Sequence, residues 1–250
     1  MRIPKTLLLF ISLLNLFSCA GRNARLTPVP SEVSASLRHQ LVEILKARDR
    51  EIKSVSGFAA VRYGTKVLGR RNEMIVLIKR PYSLRMEGFS VLGMAEQTIV
   101  LANGSLTLYW PSKNSYFKGL ASVDVMERYL KISLGPEASI QILSGAIPVG
   151  EESEYVLYSL KGSRELSLKG PTDEVVFAPR GQGFVPLRYT AYDTENDKKY
   201  QVDYSDKLLV QFFDPSLKVE IDYHDVERNG SLDEKLFQLE IPNDALPIGD

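Results

Sequence analysis

The strongest constraint on folding lies in the second half of the chain, where short apolar runs are cut repeatedly by turn-forming clusters. Between Tyr155 and His224 the clusters Lys161-Gly162-Ser163, Gly170-Pro171-Thr172, Arg180 to Gly183, Asp193 to Asp197, Ser205-Asp206 and Asp214-Pro215 leave segments of strand length. The last segment is the clearest. Leu217, Val219, Ile221 and Tyr223 fall on one side of an extended chain, and Lys218, Glu220, Asp222 and His224 on the other. A period of two with one apolar face commits this region to antiparallel strands that are buried on one side only.

The first half carries the same signal. Val55, Gly57, Ala59, Val61 and Tyr63 alternate up to a turn at Gly64-Thr65, and a strand from Val67 to Lys79 is predicted to stop at Pro81. Leu84 and Met86 then alternate with Arg85 and Glu87. Thr98 to Leu101 meets Leu106 to Trp110 across Ala102-Asn103-Gly104-Ser105, a hairpin signal because Asn and Gly both tolerate positive φ. Two stretches follow helical spacing instead. Val33, Leu37, Leu41, Ile44 and Leu45 predict an amphipathic helix ending near Arg48. Val123, Met126, Tyr129 and Leu130, then Ile140 and Leu143 after the Gly135-Pro136 break, predict two short helices within Ala121 to Gly145. The expected class is α+β, mainly β: one strongly curved antiparallel sheet with helices on its concave face, forming a single domain over residues 33–250 without internal repeats.

The N-terminus carries Arg2 and Lys5 before an apolar run from Leu7 to Phe17 interrupted by Ser12 and Asn15, the layout of a secretory signal. The run is shorter than the roughly 20 apolar residues of a spanning helix. It ends in Leu16-Phe17-Ser18-Cys19, which resembles the bacterial lipobox. That resemblance implies removal of residues 1–18 and attachment of fatty acyl (palmitate) lipid to Cys19. Residues 19–32, with Gly21, Asn23, Thr27, Pro28 and Pro30, then read as a flexible tether. Ala20 in place of aspartate after the cysteine implies sorting to the outer membrane. Cys19 is the only cysteine, so no disulfide can form within the chain and stability must come from core burial. The 31 basic residues less Arg2 and Lys5 leave 29 against 31 acidic, a formal charge of −2 that disfavours nucleic acid as a partner.

Catalysis has little to stand on. The two histidines, His39 and His224, fall on a helix and on the polar side of a strand. With Cys19 acylated there is no thiol nucleophile and no usual zinc cluster, so no metal and no cofactor other than the covalent lipid is expected. There is no Gly-x-Ser-x-Gly elbow. Arg180-Gly181-Gln182-Gly183 lacks a third glycine and reads as a turn, and Glu151, Glu152 and Glu154 read as a solvated loop. A carboxylate pair from distant strands stays open; otherwise the chain reads as a non-enzyme.

From about Ser34 onwards the order of pieces resembles the LolA/LolB-like family of lipoprotein carriers and receptors. The pieces are Lys79-Arg80-Pro81, the Asn103-Gly104 turn before Leu108-Tyr109-Trp110-Pro111, the loop Phe89-Ser90-Val91-Leu92-Gly93-Met94, the helical insertion, and the ending Phe237-Gln238-Leu239-Glu240-Ile241-Pro242. The resemblance implies an unclosed antiparallel β-barrel with a helical lid over an apolar cavity for acyl chains. It implies that Arg80 contacts the lid, and that Val91, Leu92, Gly93 and Met94 form a membrane-insertion loop, with Val91 where the receptor has proline. It implies that Met126, Tyr129, Leu130, Ile140 and Leu143 form the lid and cavity wall. By residue type alone, Arg80 could equally be a solvated strand end, the 91–94 loop could pack inside, and the insertion could be ordinary core helix. The family's carrier is free and its receptor lipidated, so Cys19 and the Leu92 loop favour the receptor. The expectation is a monomeric lipoprotein of the outer membrane, facing the periplasm, that takes acylated lipoproteins from a periplasmic carrier. The alternative is a structural or assembly lipoprotein that uses the half-barrel to hold a protein partner.

Overall fold

A computed structural model describes residues 26–64, 70–90, 92–205, 207–213 and 216–249. A short strand β1 (Leu26–Pro28) precedes helix α1 (Ser31–Glu51). Six strands follow: β2 (Ser54–Gly64), β3 (Arg70–Lys79), β4 (Ser83–Phe89), β5 (Ala95–Ala102), β6 (Ser105–Trp110) and β7 (Ser115–Leu120). Helices α2 (Val123–Leu130) and α3 (Pro136–Leu143) interrupt the sheet. The chain resumes with β8 (Val156–Leu160), β9 (Leu166–Lys169), β10 (Asp173–Arg180), β11 (Gly183–Tyr192), β12 (Lys198–Tyr204), β13 (Leu208–Phe213) and β14 (Ser216–Arg228), and ends with β15 (Leu246–Pro247).

Among the described residues all fifteen strands belong to one sheet in the order β1-β8-β9-β10-β11-β12-β13-β14-β2-β3-β4-β5-β6-β7-β15. Neighbours are antiparallel except β15, which runs parallel to β7. The sheet does not close on itself, so it is the half-barrel expected, and the clusters Lys161-Gly162-Ser163, Gly170-Pro171-Thr172 and Asp193 to Asp197 sit between consecutive strands. The Asn103-Gly104 turn adopts φ of 50° and 73° and pairs Ala102 with Ser105, which is the primed geometry that matches strand twist. In β14 the predicted alternation holds, with Ile221 2% exposed on the inner face.

Strands β14 and β2 join the two halves, and their ladder slips between His224 and Glu227. Gly57 sits opposite that slip. A Cβ there would lie 2.9 Å from the Asp225 carbonyl oxygen and 3.0 Å from Val226 Cα, so the bulge needs glycine.

Three elements differ from the sequence expectations. Leu26–Pro28, expected within the tether, pairs with Tyr158 to Leu160 as an edge strand. The strand pattern, expected to stop at Trp110, continues through β7, where Ser115 and Phe117 turn inward. Helix α1 begins before Val33 and runs past Arg48 to Glu51, because Leu41, Val42 and Leu45, all 0% exposed, bury it against the sheet and the ends follow.

Candidate functional site

The inner face of the sheet is not filled uniformly. Under α2 and α3 it leaves a cavity of about 340 Å³. Its walls come from alternate positions of the strands: Val61 of β2, Met74 of β3, Met86 of β4, Ile99 of β5, Val210 and Phe212 of β13, and Val219 of β14. Its roof is Met126 and Leu130 of α2, the following Ile132 and Leu134, and Ile142 of α3. Asn72, Gln97, Tyr63 and Lys131 are polar exceptions in the lining. The cavity exists because period-two alternation aims medium-sized side chains inward while the sheet's curvature holds the helices off its floor.

Helix α2 starts on a genuine cap, with the Ser122 side chain accepting from the Val125 amide, and ends on Lys131 at φ 60°. Tyr129 stacks on Phe117 of β7 at 4.1 Å between ring centroids, which fixes the helix to the sheet edge. Helix α3 opens on Pro136 behind Gly135. Its Ser139 hydroxyl lines the cavity, is 4% exposed as a residue, and has no hydrogen-bond partner among the described residues.

Arg80 is tied to the end of α1. Its Nη1 donates to the carbonyls of Asp49 at 2.6 Å and Ile52 at 3.1 Å, and its Nη2 to Asp49 Oδ1 at 2.6 Å. Gln141 of α3 donates to the same Asp49 oxygen at 3.0 Å. Arg80 therefore reaches the helical insertion through Asp49, which joins β3, α1 and α3 in one strut.

The β4–β5 connection stands at the other end of these strands. Gly88 pairs with Gln97 and Phe89 with Ala95, so the loop abuts the row in which Asn72 and Gln97 edge the cavity. The Ser90 amide donates to the Met94 carbonyl at 2.8 Å, the Gly93 amide to the Ser90 carbonyl at 2.8 Å, and the Met94 amide to Ser90 Oγ at 3.2 Å. With these three bonds closing the turn and Gly93 at φ 76°, Leu92 and Met94 project outward. Leu92 is 83% and Met94 63% exposed.

Of the residues named from sequence, Met126, Tyr129, Leu130 and Leu143 line the cavity. Ile140 does not. It faces a crevice of about 20 Å³ shared with Tyr82 and Leu101, and Ile142 takes the cavity position. Two residues apart on a helix is about 200° of rotation, and packing on both sides of α3 sets which residue faces which side. Cys19 and Val91 lie outside the described residues. His39 meets Glu152 at 2.9 Å, where that hydrogen bond holds the half-buried Glu152 carboxyl below its ordinary range. His224 stacks on Phe58. Among the described residues no group of three His, Cys, Asp or Glu side chains is placed to hold a metal ion.

No family model matches the chain, and no curated protein is similar to it at a significant level. Solved structures do overlap with it. A DUF1329 family protein from Desulfovibrio piger superposes with a TM-score of 0.52 at 10% identity, over 81% of this chain and 96% of that one. A LolA superfamily protein from Nitrosomonas europaea gives 0.49 at 15% identity, over 79% and 97%. A domain assigned to outer membrane lipoprotein sorting in Vibrio parahaemolyticus gives 0.49 at 9% identity, over 83% and 97%. The first of these shows the architecture: a helix-covered open antiparallel sheet.

Proposed function

We propose that the protein binds the acyl chains of lipoproteins, or of a similar acylated envelope molecule, and helps insert them in the outer membrane, where Cys19 anchors it facing the periplasm. The observation that carries this reading is the cavity of about 340 Å³ between the concave sheet and α2–α3, whose walls are almost wholly aliphatic or aromatic. Pockets for small ligands run from about 300 Å³ upward, and this one has the apolar lining that a hydrocarbon chain requires.

The physical need is simple. Each methylene exposed to water costs about 0.8 kcal/mol, so an acyl chain of a dozen or more cannot cross an aqueous compartment unsheathed. Apolar walls without directional bonds accept such a chain and tolerate variation in its length. Delivery then needs a route to the bilayer, and the exposed Leu92 and Met94 stand at the end of the strands where polar residues edge the cavity. Side chains of this kind on a tethered domain suit interfacial insertion. Arg80 and Asp49 would set how firmly α3 sits over the cavity.

The test is uptake. Full-length protein in liposomes, offered a periplasmic carrier loaded with a fluorescent triacylated lipopeptide, should capture the lipopeptide and pass it to the bilayer. Protein that takes no lipopeptide, and from which native mass spectrometry releases no apolar ligand, would be a scaffold for a protein partner instead.

A further inference from the structure

A second cavity, of about 290 Å³, lies next to the first on the same inner face. Leu143 and Ile221 line both, so the two cavities share part of their wall. Strand β14 makes the continuity plain. Leu217, Val219 and Ile221 line the apolar cavity, and the next inward positions, Ile221 and Tyr223, line the second, followed past the bulge by Val226 and Arg228. The chemistry changes across that boundary. Arg48 of α1, Lys207 and Arg228 converge on the second cavity, with Tyr204 and Tyr223 beside them.

The three cations are not equivalent. Lys207 is neutralised by Glu220 and Asp222, each at 3.1 Å. Arg48 and Arg228 have, among the described residues, no carboxylate within salt-bridge distance. Arg48 is part-buried, lies over the Tyr204 ring at 5.5 Å, and spends only its Nε, which donates to the Gly145 carbonyl at 2.6 Å. Its two terminal nitrogens make no hydrogen bond to the described residues. Burial holds this guanidinium below its ordinary value; Tyr204 opposes that and Arg228 adds to it. Arg48, half-buried in the recess, and Arg228, exposed at its mouth, are two like charges without a counterion among the described residues, which a bound anion would bridge. The floor around them is fixed: Tyr204 donates to the Ala146 carbonyl at 3.1 Å and Tyr223 to the Leu143 carbonyl at 2.8 Å, so the turn after α3 is pinned at three points with Arg48.

We infer that the two cavities are one bipartite site for an anionic amphiphile, with the acyl chain under α2–α3 and a phosphate or carboxylate headgroup held by Arg48 and Arg228. This rests on the acyl-binding reading and narrows it to cargo that carries a negative charge next to its chain. Ser139, whose buried hydroxyl lacks a partner within the apolar part, could donate to an ester or carbonyl oxygen along that chain.

The experiment uses full-length protein in nonionic detergent and native mass spectrometry, with three probes: 1-oleoyl lysophosphatidic acid, 1-oleoylglycerol of the same chain, and inorganic phosphate. The phosphate-bearing lipid should bind at least tenfold tighter than the glycerol lipid. Arg228→Gln should cut that preference below threefold while leaving the unfolding midpoint unchanged, which reports an intact fold. Arg48→Gln should do the same or more. Inorganic phosphate should bind only weakly, because the chain supplies the apolar half of the contact. Equal affinity for the two lipids, or an Arg228→Gln preference equal to that of the unmodified protein, overturns the headgroup assignment while leaving the acyl cavity standing. Tight binding of phosphate that does not compete with the lysophosphatidic acid overturns the bipartite site in favour of a separate anion site. Failure of both lipids to bind overturns the acyl reading, and this inference with it.

Discussion

Under one curvature and one side-chain period, the inner face of the sheet is hollow over β2–β5 and filled over β8–β11. Over β8–β11 the inner face is occupied by large rings under α1. Tyr155 is 1% and Phe177 0% exposed, and Tyr189, Tyr200 and Phe212 follow one another at 6.0 and 6.2 Å between centroids. Over β2–β5 the same inward positions carry Val61, Met74, Met86 and Ile99, and the space they leave is the apolar cavity. Both regions are mainly apolar. What separates a core from a binding site here is side-chain reach at fixed backbone spacing, with Phe212 standing at the boundary as both a ring in the row and a cavity wall.

The contrast breaks most sharply under truncation. Phe177→Ala, in the filled half, should cost about 3–5 kcal/mol in denaturant unfolding, because a void opens among close-packed neighbours. Ile99→Ala, on the hollow wall, should cost about 2 kcal/mol, the low end for its class, since it enlarges a space that already exists. Equal losses would mean that the cavity collapses in solution. The converse substitutions test the same point. Ala191→Phe, on the inner face of β11, should destabilise by about 1–3 kcal/mol through overpacking, whereas Val61→Phe should cost under about 1 kcal/mol. Val61→Phe should also reduce acyl ligand retained in native mass spectrometry, while Ala191→Phe should leave it unchanged in the molecules that fold.

Much of the architecture was legible before the structure. Turn chemistry placed the strand boundaries, because Asn103-Gly104 and the Gly, Pro and Asp clusters act locally, and alternation in Leu217 to Tyr223 placed the inner face. The helical insertion was legible too, as a change of period. Less legible was whatever depends on what lies opposite. Strand β1 reads as a tether until Tyr158 to Leu160 offer it an edge, and β7 reads as loop until β6 pairs with it. Arg80 was visible, but Asp49 lies 31 residues away and nothing local links the two. Arg48 and Arg228 are further removed, brought together by the β14–β2 ladder and α1, so no spacing rule could have joined them.

A smaller effect separates the halves electrostatically. The filled half buries Asp173, 9% exposed, which accepts from the Tyr155 hydroxyl at 2.7 Å. Burial raises the Asp173 carboxyl above its ordinary value; the Tyr155 hydrogen bond opposes this, and Glu154 adds to it. The folded state therefore holds a proton that the unfolded chain has released, over the window between the ordinary and the raised value. Across that window this group makes stability rise as pH falls, by less than the one-proton limit of about 1.4 kcal/mol per pH unit. Asp173→Asn should remove that slope. Unfolding curves of the two proteins that stay parallel from neutral to acidic pH would show that Asp173 keeps its ordinary value.

The smallest stability effect should come from the residue that matters most for the proposed delivery. Leu92 is 83% exposed on a loop whose hydrogen bonds are backbone-to-backbone or come from Ser90, so Leu92→Glu removes no packing and disturbs no bond. Its unfolding free energy should stay within about 0.5 kcal/mol of the unmodified protein. Uptake of a labelled lipopeptide should be unchanged for the same reason, since Leu92 does not line the cavity. Transfer into liposomes should fall by at least tenfold, because a carboxylate replaces the apolar tip that would enter the interface. Unchanged transfer would remove the loop from the delivery step and leave the hollow half of the sheet as the whole of the functional surface. A loss of uptake together with transfer would place Leu92 at the cavity mouth instead, and make the loop part of the hollow half.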